Sequence, residues 1–253
     1  KMAPLARVLK QTPGIELKIC STGQHREMLQ QVLEGFSLAV DEDLQVMTQG
    51  QTLNGLSQHL LGALDQAYER LQPHMVLVHG DTTTSFIASF AAFNRQLPIG
   101  HVEAGLRTGD LKAPWPEEAN RRLTGVLADL HFAPTAKARD NLLREGVPAE
   151  HIEVTGNTVI DALLWMRDRQ QAIQWRPAPD SPLAALEPQR PMVLITGHRR
   201  ENLGDGFNHI CQALARLAER YPLAQFVYPV HLNPKVKDAV YSMLSNKPNI
   251  YLV

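Results

Sequence analysis

The sequence is poor in cysteine, in surplus charge and in long apolar runs, and each shortage removes a class of protein. Cys20 and Cys211 are its only cysteines, and they form no CxxC pair or metal-spaced cluster. A disulfide-stapled secreted scaffold is therefore excluded, and the chain is expected in a reducing, cytoplasmic setting with both thiols acting as small apolar residues. Lys and Arg number 25 against 26 Asp and Glu, with an isoelectric point near 6.9. No basic stripe or arm exists for nucleic acid or a membrane surface, so an anionic ligand must be met by local charges. No stretch approaches the roughly 20 apolar residues of a membrane span. The opening KMAPLARVLKQ is no signal peptide but an amphipathic helix, with Met2, Leu5, Val8 and Leu9 at helical spacing. An α/β domain should open with a strand, so one is expected before Lys1. GxGxxG, GxxxxGK[ST] and HExxH are all missing, which leaves no fingerprint for a dinucleotide, a P-loop or zinc, and neither cofactor nor metal is expected.

What remains is ordinary globular material of 253 residues, 44% hydrophobic and 20% charged, with a mean hydropathy of -0.21. That length suits two domains. Short apolar runs alternate with amphipathic segments: strands over 16–22, 75–80, 97–105, 130–135 and 152–156, and helices over 25–36, 53–71, 82–96 and 117–128. Further helices follow, one closed by Gly146 and one running from Asn157 through NTVIDALLWMRDRQ. Such βα repetition predicts doubly wound parallel sheets. Four prolines interrupt the pattern between 171 and 190, so a first Rossmann-like domain is placed over 1–170, a Pro-rich linker over 171–190, and the start of a second domain over 191–253. The second domain ends on the strand NIYLV after three βα units, and more chain is expected beyond it to cover the sheet.

Ligands of open parallel sheets sit beyond the carboxyl ends of the strands. Here those ends carry His79-Gly80-Asp81, His101-Val102-Glu103, Gly197-His198-Arg199-Arg200 and His231. Each has a structural alternative. Asp81 can cap the following helix, and His79 and His101 can be satisfied histidines at the edge of a core. Glu117 and Glu118 lie in a first helical turn, which the helix dipole favours, and can pair with Arg121 and Arg122 at i,i+4. That explanation suffices for Glu118; Glu117, behind the rigid PWP, stays a candidate. The basic cluster of His198, Arg199 and Arg200 suits a diphosphate.

The strings TGQHREML, VHGDTTT, GHVEAGLRTGD, PWPEEANRRLT, TGNTVIDALLW, TGHRREN and YPVHLNP resemble, in order and spacing, the non-hydrolysing UDP-N-acetylglucosamine 2-epimerases. The resemblance implies two Rossmann-like lobes of the glycosyltransferase-B type, commonly a homodimer, with no cofactor. It implies interconversion of UDP-N-acetylglucosamine and UDP-N-acetylmannosamine through elimination of UDP to 2-acetamidoglucal and re-addition. By position, Asp81, Glu103 and Glu117 match the family's essential acids, His198 its essential histidine, and Lys1 a lysine near the nucleotide, with Arg199 and Arg200 as further substrate ligands. Gln24, Glu27, Arg199 and His231 fall where some members bind a second UDP-sugar, although Gly50 stands where strongly allosteric members carry arginine. Family segments are expected before Lys1 and after Val253. A hydrolysing relative, a glycosyltransferase of the same architecture, and an inactive nucleotide-sugar-binding fragment are the competing readings.

Overall fold

The computed structural model describes residues 1–23, 26–48, 50–197, 205–231 and 234–253; of residues 26–28, 205, 234 and 235 only the backbone is described. The chain forms two compact units, Lys1–Gln170 and Gln171–Val253.

In the first unit the elements are α1 (Met2–Gln11), β1 (Cys20–Ser21), α2 (Arg26–Gly35), β2 (Glu42–Asp43), α3 (Leu53–Leu71), β3 (Val76–His79) and α4 (Thr83–Asn94). There follow β4 (Ile99–Val102), α5 (Glu117–Leu127), β5 (Leu130–Ala133), α6 (Ala136–Arg144), β6 (Ile152–Val154) and α7 (Thr158–Ala172). Strands β3, β4, β5 and β6 lie side by side in that order, all parallel, and β1 pairs with β2 separately. Sequential order follows from strands joined by helical crossovers.

Apolar periodicity explains the core. Leu56, Leu60 and Leu64 recur every fourth residue of α3, so one stripe of the helix is buried against Val78, Ile87, Ala91 and Ile99. Burial of each such leucine is worth about 1.5–3 kcal/mol. Thr52 caps α3 by accepting from Gly55 N, and the helix ends at Gln72, where φ is +44°. All four residues of β4 are buried, which explains its unbroken apolar reading.

Two expectations shrink. The strand read over 16–22 is reduced to Cys20–Ser21, because the Asp41 carboxylate accepts Ile19 N at 2.8 Å and takes a donor the ladder would use. The Cys20 thiol is free, and burial pushes its pKa up to about 11. The strand read over 97–105 covers only β4 (Ile99–Val102), and the sheet of the second unit opens with β7 (Met192–Leu194).

The second unit continues with α8 (Asp205–Arg220), β8 (Gln225–Tyr228), α9 (Pro234–Leu244) and β9 (Ile250–Leu252), giving a parallel sheet in the order β7, β8, β9. Phe207, Cys211, Phe226, Tyr228, Val240 and Leu244 form its core. Residues before β7 are fastened to this unit. Glu187 N donates to Gln225 Oε1 and Gln225 Nε2 donates back to Glu187 O, while Arg190 donates to the carbonyls of Pro222 and Leu223. Among the described residues no helix is long and apolar enough to cross a membrane.

Candidate active site at the carboxyl ends of β3 and β4

Adjacent strands β3 and β4 end at His79 and Val102, in register with each other. Gly80 N donates to Val102 O at 2.9 Å, so the segment beyond β3 stays beside the segment beyond β4. Gly80 takes φ +69°, and a β-carbon there would stand 3.5 Å from Glu103 Oε2. The turn therefore brings the backbone close to a carboxylate.

His101 fixes this corner from beneath. It is wholly buried, and its Nε2–H donates to Gly80 O at 2.8 Å. Burial lowers its pKa to about 4, so the ring is neutral at pH 7, and its Nδ1 has no hydrogen-bond partner among the described residues. His101 thus holds, from within the core, the turn that carries Asp81.

Glu103 is held on both of its carboxylate oxygens. Its φ of +64° lies in the left-handed region, which costs a residue with a β-carbon on the order of 1 kcal/mol and must be held by the surroundings. Lys1 Nζ stands 2.5 Å from Oε1, and Asn157 Nδ2 donates to the same oxygen at 2.7 Å. His79 Nε2 lies 3.2 Å from Oε2, close enough to act electrostatically although off the line of a good hydrogen bond. Burial by itself would raise the Glu103 pKa. The neighbouring His79, Lys1 and Asn157 reverse that effect and hold the carboxyl at about 2. The group is an anion throughout the neutral range.

Asp81 does not cap α4. Thr82 does, accepting Ser85 N through its hydroxyl, which leaves the aspartate carboxylate available. Arg121 Nη2 donates to Asp81 Oδ2, and Asn120 Nδ2 donates to Asp81 O at 3.0 Å. These contacts join the first turns of α5 to the end of β3. Glu117 shares the helix face of Asn120 and Arg121, three and four residues ahead of them. It is half-buried and makes no side-chain hydrogen bond or ion pair among the described residues.

The i,i+4 pairs expected in α5 do not form. Arg121 turns to Asp81 instead of Glu117, and Arg122 lies 4.0 Å from Glu145. Glu118, expected to be a helix-dipole acid paired with Arg122, has no exposed surface and accepts from Thr108 N at 3.1 Å and Gly109 N at 3.3 Å, with Arg121 Nη1 3.4 Å away. A tertiary partner outcompetes a local one because a desolvated charge gains more from a fixed donor than an exposed pair does.

The structure therefore gathers Lys1 and Glu103, links Asp81 to α5, and places Glu117 on the linking face. Asn157 and Arg121, both needed to hold these acids, were not singled out by sequence reasoning. Asn157 also accepts Val159 N, as a residue opening a helix does, and that local role conceals its second one. Gln24, His198, Arg199 and Arg200 lie outside the described residues, and of Glu27 only the backbone is described, in α2. His231 is half-buried, three residues past β8. Among the described residues no group of three His, Cys, Asp or Glu could hold a metal ion.

Comparison with known proteins places this geometry. The family model described as UDP-N-acetylglucosamine 2-epimerase matches residues 7–253. The UDP-N-acetylglucosamine 2-epimerase of Salmonella typhimurium is 53% identical over 256 residues, a span covering 100% of this chain and 68% of the relative. That of Escherichia coli K12 is 51% identical, with the same coverage of both chains. The crystal structure of UDP-GlcNAc 2-epimerase from Neisseria meningitidis bound to UDP-GlcNAc superposes with a TM-score of 0.94 at 45% identity, covering 100% of this chain and 68% of that one. The complex of Methanocaldococcus jannaschii UDP-GlcNAc 2-epimerase with UDP-GlcNAc and UDP has a TM-score of 0.81 at 27% identity, covering 100% and 69%. On a family match that runs from α1 to β9 and on relatives more than half identical, this chain belongs to the UDP-N-acetylglucosamine 2-epimerase family and is an α/β isomerase.

Proposed function

We propose that the protein interconverts UDP-N-acetylglucosamine and UDP-N-acetylmannosamine by inverting C2 of the sugar. The C2 proton leaves to a carboxylate, the C1–O bond breaks with its electron pair going to UDP, and 2-acetamidoglucal forms. Re-addition of UDP at C1, with a proton delivered to the other face of C2, completes the exchange. Two proton-carrying carboxylates suit two faces.

The observation that carries this reading is the division of labour among the three acids. Glu103, held at about 2, keeps its charge at neutral pH and serves to orient Lys1, His79 and Asn157. Asp81 and Glu117 are left as the proton carriers. Glu117 has no partner among the described residues, and Asp81 is steadied by Arg121. His198, Arg199 and Arg200 are assigned to the departing diphosphate, where cations stabilise developing charge.

The same reading includes a homodimer, a cytoplasmic location, and a supply of N-acetylmannosamine units to cell-surface polysaccharide. It also takes residues 171–190 as the linker between a domain over 1–170 and a nucleotide-binding domain beginning at 191. The second UDP-sugar site at Gln24, Glu27, Arg199 and His231 belongs to it as well; Gly50, at φ +73°, occupies a backbone conformation unsuited to the arginine of strongly allosteric members.

Incubation with UDP-N-acetylglucosamine in D2O tests the proposal by NMR. Both UDP-sugars should appear with deuterium at C2, and Glu117→Gln should lose this exchange by about 10²–10⁴-fold. Its stability should change by under about 0.5 kcal/mol, as for an unpartnered surface position. Free sugar accumulating with turnover would favour the hydrolysing reading, and an unimpaired Glu117→Gln would remove that residue from the mechanism.

A further inference from the structure

The two donors on Glu103 Oε1 come from the openings of two helices distant in sequence. Lys1 immediately precedes α1, and Asn157 immediately precedes α7. Their convergence on one oxygen requires α1 and α7 to keep a fixed relation. Ordinary apolar packing offers little to keep it, since α7 has no buried residue and α1 buries only Ala3 and Ala6.

What joins these helices is a stack around Trp165 of α7. Its ring lies on Phe36, with centroids 4.5 Å apart and planes 20° from parallel. The Arg7 guanidinium of α1 sits 4.5 Å from the Trp165 centroid, and its Nη1 also donates to Phe36 O at 3.1 Å. Arg169 approaches the same ring at 5.2 Å and donates to Ser37 Oγ. An aromatic pair and a cation over an indole face each contribute on the order of 1 kcal/mol and, unlike aliphatic packing, impose an orientation. Helical rise places Trp165 about 12 Å along α7 from Asn157 and Arg7 about 9 Å along α1 from Lys1. The stack therefore sets the relation of the helices at a distance from the carboxylate it serves.

We infer that Trp165 is a positioning residue, whose grip on Arg7 and Phe36 sets the spacing at which Lys1 and Asn157 meet Glu103. The inference rests on the epimerase reading for its catalytic consequence, but not for its structural one. Loss of the stack leaves both donors free to drift, and a carboxylate deprived of them returns toward the titration range of an ordinary glutamate.

The test titrates Glu103 in the intact protein by carbon NMR with carboxyl-labelled glutamate, the signal assigned with Glu103→Gln. In Trp165→Leu the midpoint should rise from about 2 by about one to two pH units, the effect of a lost neighbouring cation. Under the same change kcat should fall about ten- to a hundredfold with little change in KM, as misplacement at a distance does. Trp165→Phe, which keeps an aromatic face for Arg7, should restore both. Arg7→Met removes the grip from the α1 side and should reproduce the shift if Trp165→Leu proves too unstable to titrate. A folded Trp165→Leu or Arg7→Met protein with an unmoved Glu103 midpoint overturns the inference, because a merely structural role lowers the melting temperature without moving that midpoint. Failure of the parent protein to epimerise would overturn the epimerase reading alone, since the titration requires no turnover.

Discussion

The end of β4 and the first turn of α5 each fix a carboxylate, half-buried at Glu103 and fully buried at Glu118, and they do so with different donors. At Glu103 the donors are the side chains of Lys1 and Asn157, which stand just before α1 and α7 and are 102 and 54 residues away, with His79 of β3 close by. At Glu118 two of the three are backbone N–H groups of the neighbouring loop, at Thr108 and Gly109. Side-chain donors can be displaced by a ligand, whereas backbone donors are fixed by the path of the chain. The comparison separates a charge held by displaceable side chains from one held by the path of the chain, and it does so where the sequence offers two similar acids.

Removing the fixed charge should have the largest effect on folding. Glu118→Ala leaves the Thr108 and Gly109 backbone donors without their acceptor and Arg121 with Asp81 alone, and denaturant unfolding should show a loss of about 1–3 kcal/mol. A loss below about 1 kcal/mol would mean that water reaches the site and the contrast with Glu103 fails. Glu118→Gln should also destabilise, because its new N–H₂ must face groups that are themselves donors.

At the other region the expected loss is in rate. Glu103→Gln keeps the shape but removes the charge that orients Lys1 and His79, so turnover should fall about 10²–10³-fold with the fold intact. Parent-like turnover in this variant would put Glu103 in the same structural class as Glu118.

The smallest effect sharpens the comparison through pH. His101 has its pKa lowered by burial from 6.5 to about 4 in the folded protein, so the unfolded chain binds more protons between those values. Stability should therefore decline as pH falls through that window. Glu103, depressed from 4.5 to about 2, contributes stability that is full above the unfolded value and is lost as pH falls toward about 2. Melting temperatures measured from pH 7 downward should fall in both windows, and Glu103→Gln should remove only the lower part. A variant that retains the lower part would show that another carboxylate controls it.

Legibility in the sequence follows how local each cause is. The span of α3 could be read in full because Leu56, Leu60 and Leu64 mark one face and the Thr52 cap lies beside it. The strand around Cys20 was overextended because its competitor, the Asp41 carboxylate, is 22 residues from Ile19. Asp81, Glu103 and Glu117 were visible as acids at element ends, where parallel sheets collect ligands. Their partners were not: Arg121 reads as a helical neighbour of Glu117, and nothing near Glu103 in sequence points to Asn157 or Trp165.

The order of strands and helices, the α/β class and membership of the family were determined by the sequence itself, because periodicity and long ordered motifs are properties of the chain. Tertiary structure alone decided the state of each charge. Lys1 and Asn157 converge on Glu103, Thr82 rather than Asp81 caps α4, and Glu118 loses all contact with water. The physical reason is that the energy of a charge depends on burial and on donors a few ångströms away, and the chain brings those together only by folding.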